Sequence, residues 1–123
     1  RFLFMSTELK ARTKAFSLSI IDLTESLNTT TAQRVIQNQL IRSSSSVGAN
    51  YRAACRARSD KEFIAKMRIV LEEADESCFW LEIIDEKNWM IVQEHLREAN
   101  ELTAIFVTII KKMNFKNEKG GKK

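Results

Sequence analysis

The chain has 123 residues, of which 44% are hydrophobic and 29% charged, and its formal net charge is +4. Those values describe one globular domain with a modest core and exclude a disordered chain. There is no proline and there are only three glycines, so a sheet protein, which draws on both for its turns, is disfavoured against a few long helices with short connections.

The first predicted helix runs from Thr7 to Leu27, with Ser6 or Thr7 as its cap and Glu8 at its positive end. Leu9, Thr13, Phe16, Ile20, Leu23 and Leu27 recur at steps of three and four, the stripe of a bundle seam. Arg1-Phe2-Leu3-Phe4 is too short for a signal peptide, and no apolar run reaches the length of a membrane span. Met5-Ser6-Thr7-Glu8 reads as a natural start, with residues 1–4 as flanking sequence. Asn28-Thr29-Thr30-Thr31 reads as a connection and a new N-cap.

The second helix is predicted over Ala32–Ala57, and it holds the most unusual stretch, Gln39 to Arg58. Serine and asparagine compete for backbone hydrogen bonds and weaken a helix. Even so, Gln39, Ser43, Ser46, Asn50, Ala54 and Ala57 keep helical spacing, which predicts one face of small and polar groups whose buried hydroxyls need partners. Gly48 costs about 1 kcal/mol relative to alanine in mid-helix. The periodicity nevertheless passes through it without a change of phase, and a glycine there lets another backbone come close.

Ser59-Asp60-Lys61-Glu62 has the spacing of a capping box and opens the third helix. Phe63, Met67, Val70, Ala74, Cys78, Leu81 and Ile84 are in phase, and the helix is expected to end near residues 85–87. Asn88 is the predicted cap of a fourth helix carrying Val92, Leu96, Ala99, Phe106 and Met113. Together these give an all-α, antiparallel up-down four-helix bundle over residues 7–113, followed by a disordered, lysine-rich tail over 114–123.

Charge is strongly segregated. Residues 31–70 hold eight Lys or Arg against two acids, and residues 71–102 hold ten acids against two bases. Two readings follow. In one, the basic second helix pairs with the acidic third and fourth inside the bundle. In the other, a basic face stays free and meets phosphate, so that RNA or DNA becomes a partner. The candidate binding residues are Arg52, Arg56, Arg58 and Lys61, near Lys66 and Arg68, with Lys111, Lys112, Lys116, Lys119, Lys122 and Lys123 in the tail. Tyr51 is placed beside them either to stack on a base or to pack. Glu73 and Glu76 have two readings: they turn toward Arg42, which flanks the small face, in a pair that would set helix register, or they simply face water.

No catalytic constellation emerges. His95 is the sole histidine and has no triad or metal-ligand partner at a suggestive spacing, Gly48 is no phosphate loop, and Cys55 and Cys78 read as reduced, packed thiols of a cytoplasmic protein. Trp80 and Trp89 read as packing or interface anchors. No enzyme activity, cofactor or metal is expected.

Gln39-x-x-Arg42, Ser46-Val47-Gly48-Ala49-Asn50-Tyr51-Arg52, the Arg56-x-Arg58-Ser59 junction, Phe63, Arg68 and Glu76 resemble the four-helix-bundle family of the 23S ribosomal RNA intervening-sequence proteins. The resemblance spans residues 7–113. The family pattern usually has an acid at position 53, where this chain has Ala53. The resemblance implies a homopentameric ring or barrel of four-helix protomers without catalytic activity. It also implies structural or interface roles for Gln39, Arg42, Ser46, Asn50 and Glu76. A related accessory protein of diversity-generating retroelements is similar in binding nucleic acid beside a reverse transcriptase.

Overall fold

Helix-breaking signals are rare in this chain, and the structure places its breaks where they occur. The computed structural model describes residues 2–26 and 29–121, with side chains described for 6–26 and 29–118. Its elements are α1 (Phe2–Glu25), α2 (Thr31–Cys55), α3 (Asp60–Glu86) and α4 (Gln93–Gly121), and no strand occurs among the described residues. Thr30 caps α2: its hydroxyl accepts the Gln33 N–H at 3.2 Å, and the Gln33 side chain accepts the Thr30 N–H at 2.9 Å. Ser59 caps α3 through the Glu62 N–H at 3.1 Å.

Several boundaries differ from the sequence expectation. α1 begins at Phe2, so residues 2–4 of the segment read as flanking sequence are helical. At its other end α1 stops at Glu25, and Leu27 of the expected stripe lies outside the described residues. Asn88 does not cap α4. It has φ 55 and closes α3, with Lys87 N–H bonded to Ile83 O, Asn88 N–H to Asp85 O and Trp89 N–H to Ile84 O. Asparagine tolerates this left-handed position, where most side chains are strained. α4 then starts at Gln93 and runs through the lysine-rich segment as far as Gly121, where a disordered tail from 114 is expected. Lysine and glutamate are good helix formers, and no proline or glycine interrupts the segment before Gly120.

The partners on neighbouring helices run in opposite order along the chain. Ser6, Thr13 and Ser17 of α1 meet Cys55, Gly48 and Ser44 of α2. Asp60, Cys78 and Asp85 of α3 or its first turn meet Lys116, Asn100 and Gln93 of α4. α2 and α3 share the most extensive packing, and α1 touches α4 least. The core is one cluster in which Phe106, Leu40, Met67, Val70, Leu81 and Leu102 are fully buried. Each such side chain contributes about 1.5–3 kcal/mol from burial.

The serine run is helical throughout, but its buried face lies one step from the expected one. Leu40, Ser43, Ser44, Val47, Gly48, Tyr51 and Ala54 face inward, while Gln39, Ser46, Asn50 and Ala57 are half-buried at the rim. Large apolar side chains at 40, 47 and 51 outweigh the small polar stripe in deciding which face turns in. The buried hydroxyls are satisfied. Ser43 and Ser77 share a hydrogen bond of 2.8 Å across α2 and α3, and the Ser17 hydroxyl donates to the Ser44 carbonyl at 2.9 Å. A Cβ on Gly48 would lie 3.4 Å from Thr13 Oγ1 and 3.5 Å from the Thr13 carbonyl group, so α1 and α2 come close there with room for a methyl.

Candidate nucleic-acid interface

The second half of α2, the loop 56–59 and the first turn of α3 carry Arg52, Arg56, Arg58 and Lys61 to one end of the bundle. All four side chains are exposed, and none forms an ion pair with a described residue. Arg56 is the C-cap of α2, and its own N–H is bonded to Ala53 O at 3.1 Å, so the chain turns there with the guanidinium left outside. Lys66 is half-buried and Arg68 exposed on the same end of α3.

The extension of α4 adds a second set of cations to this end. Lys116 Nζ lies 3.6 Å from Asp60 Oδ2, so the last turns of α4 lie beside the loop. Lys111 and Lys112, one turn earlier, are exposed. The side chains of Lys119, Lys122 and Lys123 lie outside the described ones. Two basic segments about 50 positions apart in the chain thus share one surface, a juxtaposition that reading 114–123 as disordered hides. The signal that could have found it is the absence of any stop after Met113. A cleft of about 190 Å³ sits between the segments, with Arg58, Ser59, Asp60 and Met113 in its walls.

Tyr51 is not part of this surface. It is buried, with its ring centroid 6.2 Å from that of Phe106, and burial pushes its hydroxyl pKa well up. The stacking role considered for it is therefore replaced by packing, because its position on α2 faces inward with Val47 and Ala54.

Charge pairing inside the bundle is sparse. Arg42 is the one arginine of α2 that pairs across to α3, reaching Glu73 at 3.2 Å and Glu76 by a shorter contact. Gln39 accepts from Arg42 Nε at 3.3 Å, and Trp80 Nε1 donates to Glu76 at 2.9 Å. The Trp80 N–H and then Arg42 hold the Glu76 carboxyl below the usual glutamate range. Asn50 donates to Ser46 Oγ at 2.7 Å, within α2. Gln39, Arg42, Ser46, Asn50 and Glu76 thus form one strip along α2 and α3 that runs toward the basic end. Arg12, which the sequence did not single out, makes a second clamp, from α1 to Glu98 at 2.7 Å and Glu101 at 2.8 Å on α4. Its signal was the pair of acids three apart on one face of α4.

The remaining chemistry-bearing side chains are scattered. Cys55 is half-buried and accepts from the Ser6 hydroxyl at 3.0 Å, while Cys78 is buried, which raises its thiol pKa. His95 is half-buried and its Nδ1 has no hydrogen-bond partner among the described residues. Among the described residues no group of three or more His, Cys, Asp or Glu is placed to hold a metal, and no helix is long and apolar enough to cross a membrane. A groove of about 550 Å³ between α1 and α4 has mainly apolar walls, including Leu9, Phe63, Ile105 and Ile109, and so offers nothing to a polyanion.

Fold and surface together define a small all-α, four-helix protein with a cationic end. Residues 6–114 match the family described as 23S rRNA-intervening sequence protein, and the chain belongs to that family. It is also similar to the crystal structure of a protein of unknown function from the S23 ribosomal protein family of Bacteroides thetaiotaomicron. The TM-score is 0.77 at 30% identity, covering 83% of this chain and 97% of that one. A search of curated proteins finds no match.

Proposed function

We propose that this chain is a non-enzymatic, cytoplasmic, antiparallel up-down four-helix bundle that assembles into a homo-oligomeric ring and binds nucleic acid through its phosphate backbone. Arg52, Arg56, Arg58 and Lys61 make the primary contacts, and Lys111, Lys112 and Lys116 extend them. The observation that carries this reading is the gathering of exposed, unpaired cations from α2 and α3 onto the same end as the α4 lysines, with Lys116 tethered to Asp60. Cations left without carboxylate partners are available to replace the counterions of a polyanion. The opposite order of helix contacts supports the antiparallel arrangement, and a pentamer is the ring size implied by family resemblance. The surface supplies charge without base-reading geometry, so affinity depends on salt far more than on sequence.

The test is fluorescence anisotropy with mixed-sequence RNA, single-stranded DNA and duplex DNA at low ionic strength. Binding to none of them removes the nucleic-acid reading. The alternative is a structural or protein-interaction scaffold with no nucleic-acid affinity. Specific support for it comes from the exposed apolar side chains Val35 and Phe79, which lie away from the basic end.

A further inference from the structure

Of the described aromatic side chains only Phe79 and Phe115 are exposed, at 52% and 61%. Tyr51, which the sequence places beside the arginines, is buried and leaves the cationic end without that ring. The two exposed rings sit in opposite company. Phe79 stands edge-on to Trp80, with ring centroids 4.9 Å apart, in a stretch of α3 whose residues 72–86 hold seven acids and no base. Phe115 lies on the last turns of α4, where residues 111–118 hold Lys111, Lys112 and Lys116 against one acid, Glu118. Residues three and four apart are neighbours on a helix surface, so Lys111 and Lys112 flank Phe115 from the preceding turn. Lys116, next in the chain, lies 3.6 Å from Asp60, which puts this part of α4 beside the loop bearing the exposed Arg56 and Arg58. A single exposed apolar side chain is ordinary. An exposed ring among cations from two segments is the arrangement that suits a nucleotide strand, with phosphates on the charges and a base on the ring.

We propose that Phe115 is the platform on which a bound strand stacks an unpaired base, and that it makes the cationic end select single-stranded nucleic acid over duplex. This rests on the phosphate-binding reading above and names the form of nucleic acid that the end takes. The lysines and arginines hold the phosphates, and the ring offers a π face to a base turned away from its own strand. A duplex pairs and stacks its bases internally, so it can reach the cations but gives the ring nothing to stack on. Stacking is blind to base identity, because every base has a π face, so sequence preference stays weak. Charge alone would favour the duplex, whose phosphates are denser and release more counterions per contact. A preference for single strands therefore has to come from a contact that a duplex cannot make. Phe79 does not supply it, because the carboxylates around it repel a polyanion.

Fluorescence anisotropy on the full chain tests this with four labelled probes of about 12 nucleotides. They are single-stranded RNA, single-stranded DNA, duplex DNA, and an abasic DNA strand that keeps its phosphates but carries no bases. Phe115→Ala should weaken binding of the two base-bearing single strands about 5- to 150-fold, the range for losing one base–aromatic stack. It should leave the duplex and abasic affinities unchanged. The slope of log affinity against log salt should also stay the same, since no charge is removed. Phe115→Leu, which keeps an apolar side chain without a π face, should behave like Phe115→Ala. Phe115→Trp should keep wild-type affinity and add indole fluorescence that base-bearing single strands quench and the other two probes do not. Circular dichroism should show all three variants still helical. A loss confined to RNA or to DNA supports the stack and names the strand. If Phe115→Ala changes no affinity, or changes all four alike, the inference is overturned while the cationic end stands. If the wild-type protein binds none of the probes, the nucleic-acid reading falls and this inference with it.

Discussion

The salt dependence of nucleic-acid binding tests how many cations act and which ones they are. If Arg52, Arg56, Arg58 and Lys61 act alone, the slope of log affinity against log salt should be about −3 for a single strand, at roughly 0.7 per neutralised phosphate. If Lys111, Lys112 and Lys116 join them, seven contacts give about −5. The two cases separate widely: between 50 and 200 mM salt, affinity should fall about 60-fold in the first and about 1,000-fold in the second. The position of Lys116 near Asp60 favours the steeper slope, because it puts the α4 lysines on the same surface as the loop. The assay is anisotropy of a labelled single strand short enough to engage one protomer, titrated at four or five salt concentrations. Arg56→Gln combined with Arg58→Gln should flatten the slope by about 1.4, and so should Lys111→Gln combined with Lys112→Gln. Both pairs are exposed and outside the core, so stability should not change. A slope that neither double variant alters would mean that the ligand contacts some other surface, and the cationic end would lose its assignment.

The other predictions concern the fold. Gly48→Ala should stabilise the protein by about 0.5–1 kcal/mol through helix propensity, because the added methyl finds ordinary van der Waals distances to Thr13; Gly48→Leu should instead destabilise it by about 1–3 kcal/mol through overpacking, and urea denaturation reads both. Ser77→Ala should cost about 1 kcal/mol by removing one partner of the buried Ser43–Ser77 bond, and a double-mutant cycle with Ser43→Ala should be non-additive. Glu76 has a depressed carboxyl pKa in the folded state, so its contribution to stability is complete above the ordinary glutamate pKa and is lost as pH falls below that range. Trp80 fluorescence should therefore change at a pH below the usual glutamate midpoint, and Glu76→Gln should abolish that change.

What the sequence made legible follows from where each signal's energy lies. Helix identity, a cap within residues 28–31, the Ser59 cap and the continuity of α2 through Gly48 were all readable, because they depend on local propensity and on large apolar residues at a 3.6 period. The exact inward face of α2 was not, since Gln39, Ser43, Ser46 and Asn50 form a visible polar stripe that carries little burial energy. Leu40, Val47 and Tyr51, one position away, carry much more and turn that face to the core. Asn88 shows the converse: an asparagine between two helices caps the following one or closes the preceding one equally well by composition, and only the φ of 55 separates the two cases. The cationic end was legible as a cluster, but only in half. Its second half depends on whether residues 114–121 hold a helix, and there strong lysine propensity and strong lysine solvation point in opposite directions. The charge segregation was legible as arithmetic but ambiguous in meaning. Internal neutralisation of the basic second helix by the acidic third would have required more than one arginine to cross, and only Arg42 does. Most of the charge on the outside of α2 and α3 therefore stays at the surface, and the phosphate-binding proposal uses the part of it gathered at the loop between them.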